Sequence, residues 1–260
     1  MEVKKLLTEL TGKKYITLTY RGNDAIKQVV DLFQDKTIIT PDQGGWLTYK
    51  KYPKKFEIFE TKDGLINPES LSKYKNQVLL LHSLGGYFTE QPMKQISNVC
   101  EKNKIILIND VAGSIGTDLA KYGDYIVGSF GDWKPINFGY GGFIATNKKE
   151  KFNETFDNRY IDKLLSKLKE LNQRLTYLNS LSKQVKKDLS DYNILNRSHK
   201  SLVVIVEYKN EQEKNEIIKY CNKNKLEYTQ CPRYIRVNKQ AISIEIKRKW
   251  RNQKTQKIMN

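Results

Sequence analysis

The sequence is poor in cysteine and has no long apolar run, and both shortages narrow its class. Three cysteines, Cys100, Cys221 and Cys231, stand far apart in 260 residues. Such spacing gives neither a dense disulfide scaffold nor a paired zinc-ligand pattern, and it favours a reducing compartment. No stretch approaches the roughly 20 apolar residues that span a bilayer, and no opening apolar segment has the form of a secretory signal. The expectation is a soluble cytoplasmic protein with no metal and no membrane contact. Acidic residues are scarce too: 46 Lys and Arg face 29 Asp and Glu, a net charge of +17. That excess is uneven, because residues 1–146 carry 19 basic and 16 acidic side chains whereas residues 147–260 carry 27 and 13. A basic second half suits an anionic partner, nucleic acid included, but suits a lysine-rich surface equally, so charge alone names no ligand.

What is present is patterned. Apolar residues make up 38% of the chain and gather in strand-length runs, which excludes a wholly disordered polymer. Helical spacing is expected at residues 3–10, 25–33 and 92–102, and strands at 37–39, 56–59, 78–82, 105–109, 125–129 and 142–146. Five or more apolar strands joined by crossover-length segments imply an α/β domain with a mainly parallel, two-side-covered sheet, its functional residues at strand ends. After Asn147 the pattern changes. Ile161, Leu164, Leu165, Leu168, Leu171, Leu175, Leu178 and Leu181 recur at helical spacing and predict a long helix or a helix pair. Residues 201–208, 211–224, 234–237 and 241–246 then read as strand, helix, strand, strand, with a basic end over 247–260. The expected division is residues 1–147, a helical connector over 148–200, and a small α/β domain over 201–260.

Two stretches concentrate chemistry. In IILINDVAGSIG, residues 105–116, an apolar strand delivers Asp110 into a turn of small residues. That aspartate reads either as a cap or loop acceptor, or as a buried carboxylate opposite a cofactor ring nitrogen, approached closely past Ala112 and Gly113. In GSFGDWKPINFGYGGFIAT, residues 128–146, Lys134 is enclosed by glycines and aromatics. Most lysines are solvated surface groups, but a desolvated amine is a nucleophile for carbonyl chemistry. Near the start, Arg21, Gly22, Asn23 and Asp24 precede a predicted helix whose exposed N–H groups suit phosphate, although a plain Asn or Asp cap fits the same residues and Asp24 repels phosphate unless turned away. Trp46, after Gly44 and Gly45, reads as a core tryptophan or as a ring laid on an aromatic ligand. Arg233 and Arg236 read as solvent-facing before they read as ligands of an acidic substrate, and His199, near the expected domain junction, reads as an ordinary residue before a functional one.

Together these pieces resemble fold-type-I pyridoxal-phosphate enzymes, in particular the DegT/DnrJ/EryC1/StrS sugar-aminotransferase family, over roughly residues 15–147. Asn109–Gly116 in the order NDVAGSIG is similar to that family's Glu-Asp-Ala-Ala-His-Ser-Leu-Gly pattern. Ser129 stands five positions before Lys134, and a glycine-rich strand follows. The resemblance implies a mainly parallel, seven-stranded-type large domain with an abbreviated α/β C-terminal domain, pyridoxal 5'-phosphate as cofactor, and a homodimer. It assigns Lys134 as the Schiff-base lysine and Asp110 as the ring-nitrogen partner. Gly22, Asn23, Asp24 and Ser129 become phosphate contacts, Trp46 a ring cover, and His82 and Ala112 cofactor-side residues. Three departures stand out: Gly113 replaces a histidine or glutamine-like side chain, Asn109 a glutamate, and Trp133 a threonine.

The implied activity is aminotransfer between an amino donor and a carbonyl acceptor, on a sugar-like or anionic substrate. The alternatives are a lyase or isomerase using the same cofactor, and a non-catalytic nucleic-acid-binding protein on a degenerate version of the fold.

Overall fold

The computed structural model describes residues 2–249. In chain order its elements are α1 (Glu2–Thr11), β1 (Tyr15–Thr19), α2 (Gly22–Asp31), β2 (Ile38–Pro41), β3 (Phe56–Phe59), β4 (Val78–His82), β5 (Leu84–Gly85), β6 (Thr89–Glu90), α3 (Met93–Lys102), β7 (Ile106–Asp110), β8 (Tyr125–Ser129) and β9 (Gly142–Thr146). The second half follows with α4 (Ile161–Lys169), α5 (Leu171–Asp188), β10 (Asn193–Ile194), β11 (Val204–Glu207), α6 (Glu211–Lys223), β12 (Tyr228–Cys231) and β13 (Ala241–Ile244).

Seven strands form one sheet in the order β1-β9-β8-β7-β4-β2-β3. The run from β8 to β3 is parallel, and β9 is inserted antiparallel between β8 and β1. A parallel sheet must be covered on both faces, and the strand sequences show how. Val78 and Leu80 of β4 pack with Ala25, Ile26, Val29 and Val30 of α2, while their neighbours Leu79 and Leu81 pack with Met93, Ile96 and Cys100 of α3. Alternation on one strand thus supplies both cores. Further along the sheet, Ile126, Phe143 and Ala145 face a third core, which continues through Leu164, Leu171 and Leu178 into Val204, Val206 and Ile242.

The mainly parallel α/β expectation holds, and six of the expected strands lie within a residue or two of their places. The leucine stripe is a helix pair broken at Glu170. Strand β1 was not foreseen: YITLT is half polar, and only pairing with β9 makes it a strand. The strand expected at 234–237 is absent. That segment is a turn in which Arg236 N donates to Arg233 O at 2.9 Å, and β12 pairs with β13 instead. The C-terminal sheet has the order β10-β11-β13-β12, antiparallel throughout. Residues 250–260 of the expected basic end lie outside the described residues.

Candidate active site

Parallel strands bring their carboxyl ends to one edge, and the candidate residues collect there. His82 ends β4, Asp110 ends β7 beside it in register, and Ser129 ends β8. The pocket they share is lined by Gly22, Asn23, Gly44, Trp46, His82, Tyr87, Asp110, Ala112, Ser129 and Lys134, among others. Asp110 and Lys134, 24 positions apart in sequence, therefore line one cavity. Asp24 is the exception among the sequence candidates: it is not a lining residue, because its Oδ2 accepts from Thr155 Oγ1 at 2.6 Å and from Gln28 Nε2 at 3.2 Å. Its carboxylate is thus committed to these two donors and not to the pocket.

Asp110 is buried and held at both oxygens. Oδ1 accepts from Ala112 N at 2.9 Å, and Oδ2 accepts from the Tyr49 hydroxyl at 2.7 Å. Burial, reinforced by the neighbouring Asp110 carboxylate, pushes the Tyr49 phenol far above its ordinary value, so it remains a donor. Burial likewise lowers His82, against the opposing pull of Asp110. The His82 Nδ1 lies within hydrogen-bond reach of Leu84 O, whereas its buried Nε2 has no partner among the described residues. Trp46 donates from Nε1 to Asn23 Oδ1 at 2.8 Å, which ties the ring to the start of α2. A Cβ on Gly22 would stand 2.6 Å from Ser129 Cβ, so glycine is what lets the helix start approach the end of β8.

Lys134 Nζ donates to the Tyr87 hydroxyl and lies 5.2 Å from the Trp46 ring. Outside this contact the cleft widens into an opening of about 570 Å3 that includes Arg21, Trp133, Arg233, Arg236, Glu245, Lys247 and Arg248. Arg236 is not the solvent-facing residue expected. It is buried, and its Nη2 donates to both oxygens of Glu245 at 2.8 Å. Lys247 Nζ lies 3.2 Å from the same carboxylate. Burial pushes Glu245 up, but Arg236 and Lys247 outweigh it and hold it at about 2. For Lys247 burial wins and lowers the amine to about 7. Arg233 is exposed, in keeping with the expectation. His199 accepts from Glu90 N through Nδ1 at 3.0 Å, away from the cleft.

Sequence reasoning missed Tyr49, Tyr87, Glu245 and Lys247. Tyr49 and Tyr87 lie three and five positions beyond residues that were singled out, Trp46 and His82, and that adjacency was the available signal. Glu245 and Lys247 carried none. Among the described residues no group of three His, Cys, Asp or Glu side chains is arranged to hold a metal, and no helix is long and apolar enough to cross a membrane.

Residues 61–160 match the model of the DegT/DnrJ/EryC1/StrS aminotransferase family, inside and just beyond the region where the resemblance was read. Comparison with curated proteins gives no match. The fold is that of pyridoxal-phosphate-dependent transferases. A Sphingomonas wittichii serine palmitoyltransferase aligns with a TM-score of 0.75 at 12% identity, over 98% of this chain and 73% of its own. The serine palmitoyltransferase of S. paucimobilis, bound to PLP and myriocin, aligns with 0.72 at 14% identity, over 99% and 74%. A Streptococcus pneumoniae protein assigned as a sugar aminotransferase, in its PMP form, aligns with 0.71 at 12% identity, over 99% and 89%. These findings favour an aminotransferase-like enzyme over a nucleic-acid-binding protein.

Proposed function

We propose that this chain is a pyridoxal-phosphate-dependent enzyme of the aminotransferase type whose substrate is anionic. The observation that carries the reading is that Asp110 and Lys134 line one pocket together with Ser129 and with Gly22 and Asn23 at the start of α2. The pocket fits the cofactor on its own chemistry. Among the described residues the buried Nε2 of His82 lacks a partner and the start of α2 has no side-chain cap, and the Gly22 approach to Ser129 leaves no room for a Cβ. An uncapped helix start offers N–H groups to phosphate.

In this reading Lys134 holds the cofactor through Nζ, Ser129 and the start of α2 hold its phosphate, and Trp46, Ala112 and His82 bound its ring. Bound pyridoxal phosphate supplies an electron sink that acidifies the C–H bond beside the substrate's amine. The chain's residues do the rest. Asp110 places a fixed negative charge where the ring nitrogen gains positive charge, and its two hydrogen bonds keep it from reorienting. Lys134 would hold and move the proton at Nζ. Among the described residues lining the opening, Arg21, Arg233, Arg236, Lys247 and Arg248 outnumber Asp132 and Glu245; Glu245 is met by Arg236 and Lys247, and Arg248 pairs with Glu227 outside the lining, which leaves Arg21 and Arg233 as the surplus. That excess supports an anionic substrate, donor or acceptor.

The test is the visible spectrum of protein loaded with pyridoxal phosphate, before and after borohydride, with the reduced adduct mapped by peptide mass spectrometry. An adduct at Lys134, lost in Lys134→Ala, is the expected result. Folded protein that takes up no cofactor, or is reduced at other lysines only, overturns the reading.

A further inference from the structure

We infer that Tyr87 is a further catalytic residue of this cleft: its phenol oxygen holds and directs the Lys134 amine, and Gly113 is bare so that the phenol can stand there. The inference rests on the reading of Lys134 given above.

Four observations converge on Tyr87. Its backbone has φ +68°, the left-handed region that a bulky residue seldom enters and that persists only when its surroundings impose it. The imposition is visible. Tyr87 N donates to Leu84 O at 2.8 Å, and Tyr87 O accepts from Leu202 N at 2.8 Å and Val203 N at 3.1 Å, so the second half of the chain grips this residue by its main chain. Second, the side chain so presented is 5% exposed, and its hydroxyl meets Lys134 Nζ, the atom on which the proposed chemistry turns. Third, the ring face is surrounded by cations, with Lys134 Nζ at 4.7 Å, Lys247 Nζ at 4.8 Å and Arg236 Cζ at 5.4 Å from its centroid. An electron-rich ring offsets their mutual repulsion.

Fourth, the space for the ring is made by an absence. A Cβ on Gly113 would lie 2.8 Å from Tyr87 Cδ1 and 2.8 Å from His82 Cε1, and the two rings pack with centroids 4.7 Å apart. The bare position at 113 and the strained position at 87 are two halves of one arrangement. Tyr87 and Trp46 contact the Lys134 amine, and Lys247 and His82 lie within electrostatic reach of it. Of these only Tyr87 offers it an oxygen. An amine held by the phenol oxygen must give up that hydrogen bond to react, so losing the acceptor frees it for attack.

The test needs no turnover. Cofactor-free wild type, Tyr87→Phe, Gly113→Ala and the double variant are acetylated briefly at pH 7 with N-hydroxysuccinimidyl acetate, and Lys134 labelling is measured by peptide mass spectrometry against exposed Lys94. Near-ultraviolet circular dichroism checks the fold. Tyr87→Phe is expected to raise the relative Lys134 rate about tenfold, the size of one charge-assisted hydrogen bond. Gly113→Ala, which keeps the phenol but displaces it, is expected to give a similar rise, and the double variant no more than either single change. A rate within twofold of wild type in folded Tyr87→Phe overturns the inference, as does full additivity in the double variant. Borohydride mapping on loaded wild type separates the two levels. An adduct at Lys134 with unchanged labelling in Tyr87→Phe sinks the Tyr87 role alone, while no adduct in wild type sinks both.

Discussion

The two walls of the cleft are built by different means. On the sheet wall, one or two polar residues end largely buried apolar runs: LLLH ends at His82, ILIND at Asp110 and YIVGS at Ser129. Each is placed by its own strand, and its surroundings are mostly within a few positions in sequence or one strand away. The C-terminal wall is a mutual charge network. Arg236, Glu245 and Lys247 hold one another in a site where none of the charges would be stable singly, and the turn carrying Arg236 has no regular structure of its own. On the proposed function the sheet wall serves chemistry at one amine, whereas the C-terminal wall is organised first for stability.

The largest effect that sharpens this contrast is on turnover. Lys134→Ala is expected to reduce aminotransfer by about 10²–10⁴-fold, the range for loss of a positioned acid–base group, while changing the free energy of unfolding by less than about 1 kcal/mol. The Arg174 Nε contact at 3.1 Å is to the Lys134 carbonyl and survives the substitution. Steady-state kinetics and urea denaturation on the same preparations check both halves. A large stability loss would break the contrast, because it would make Lys134 part of the packing.

Glu245→Gln should do the reverse. It leaves the Arg236 guanidinium buried opposite a neutral amide, and breaking a buried pair in this way costs about 3–5 kcal/mol. The readout is the urea midpoint at pH 7 with an unchanged slope. A loss below about 1 kcal/mol would show that water reaches the pair.

The same network has a pH signature. Glu245 titrates at about 2 in the folded chain against 4.5 ordinarily, so its contribution is complete above pH 4.5 and is lost as pH falls from 4.5 through 2, about 3 kcal/mol in all. Lys247, lowered from 10.5 to about 7, acts at the other end: its contribution is complete above pH 10.5 and is lost as pH falls towards 7. Stability measured from pH 2 to 5 should rise with pH in the wild type and much less in Glu245→Gln. Lys247→Met should flatten the climb between pH 7 and 10.5.

The contrast also explains what could be read from the sequence. Strands β4, β7, β8 and β9 were legible because an apolar run of strand length bounded by turn residues is a local signal. Asp110, Ser129 and Lys134 were legible because their order and spacing lie within one region. Tyr49 and Tyr87 were not, since each owes its role to a partner 47 or more positions away, Asp110 for one and Lys134 for the other. Strand β1 and the turn at 234–237 failed for the same reason: one is made a strand by β9, and the other is denied strand pairing because β12 takes the edge of β13.

The smallest expected effect lies at the rim, where the two walls meet. Arg248 stacks its guanidinium 4.4 Å from the Trp133 ring centroid and pairs with Glu227 at 2.6 Å, yet Trp133 is 46% exposed and the Glu227 side chain more so. Screened pairs and exposed cation–π contacts are each worth under about 1 kcal/mol, so Arg248→Ala should barely move the urea midpoint. Its charge still faces the opening. With an anionic substrate the variant should show a raised KM, near-normal kcat, and a weaker salt dependence of kcat/KM than the wild type. An unchanged KM at low salt would mean that the substrate's charge is met deeper in the cleft, nearer Lys247, and that the rim belongs to neither wall's function.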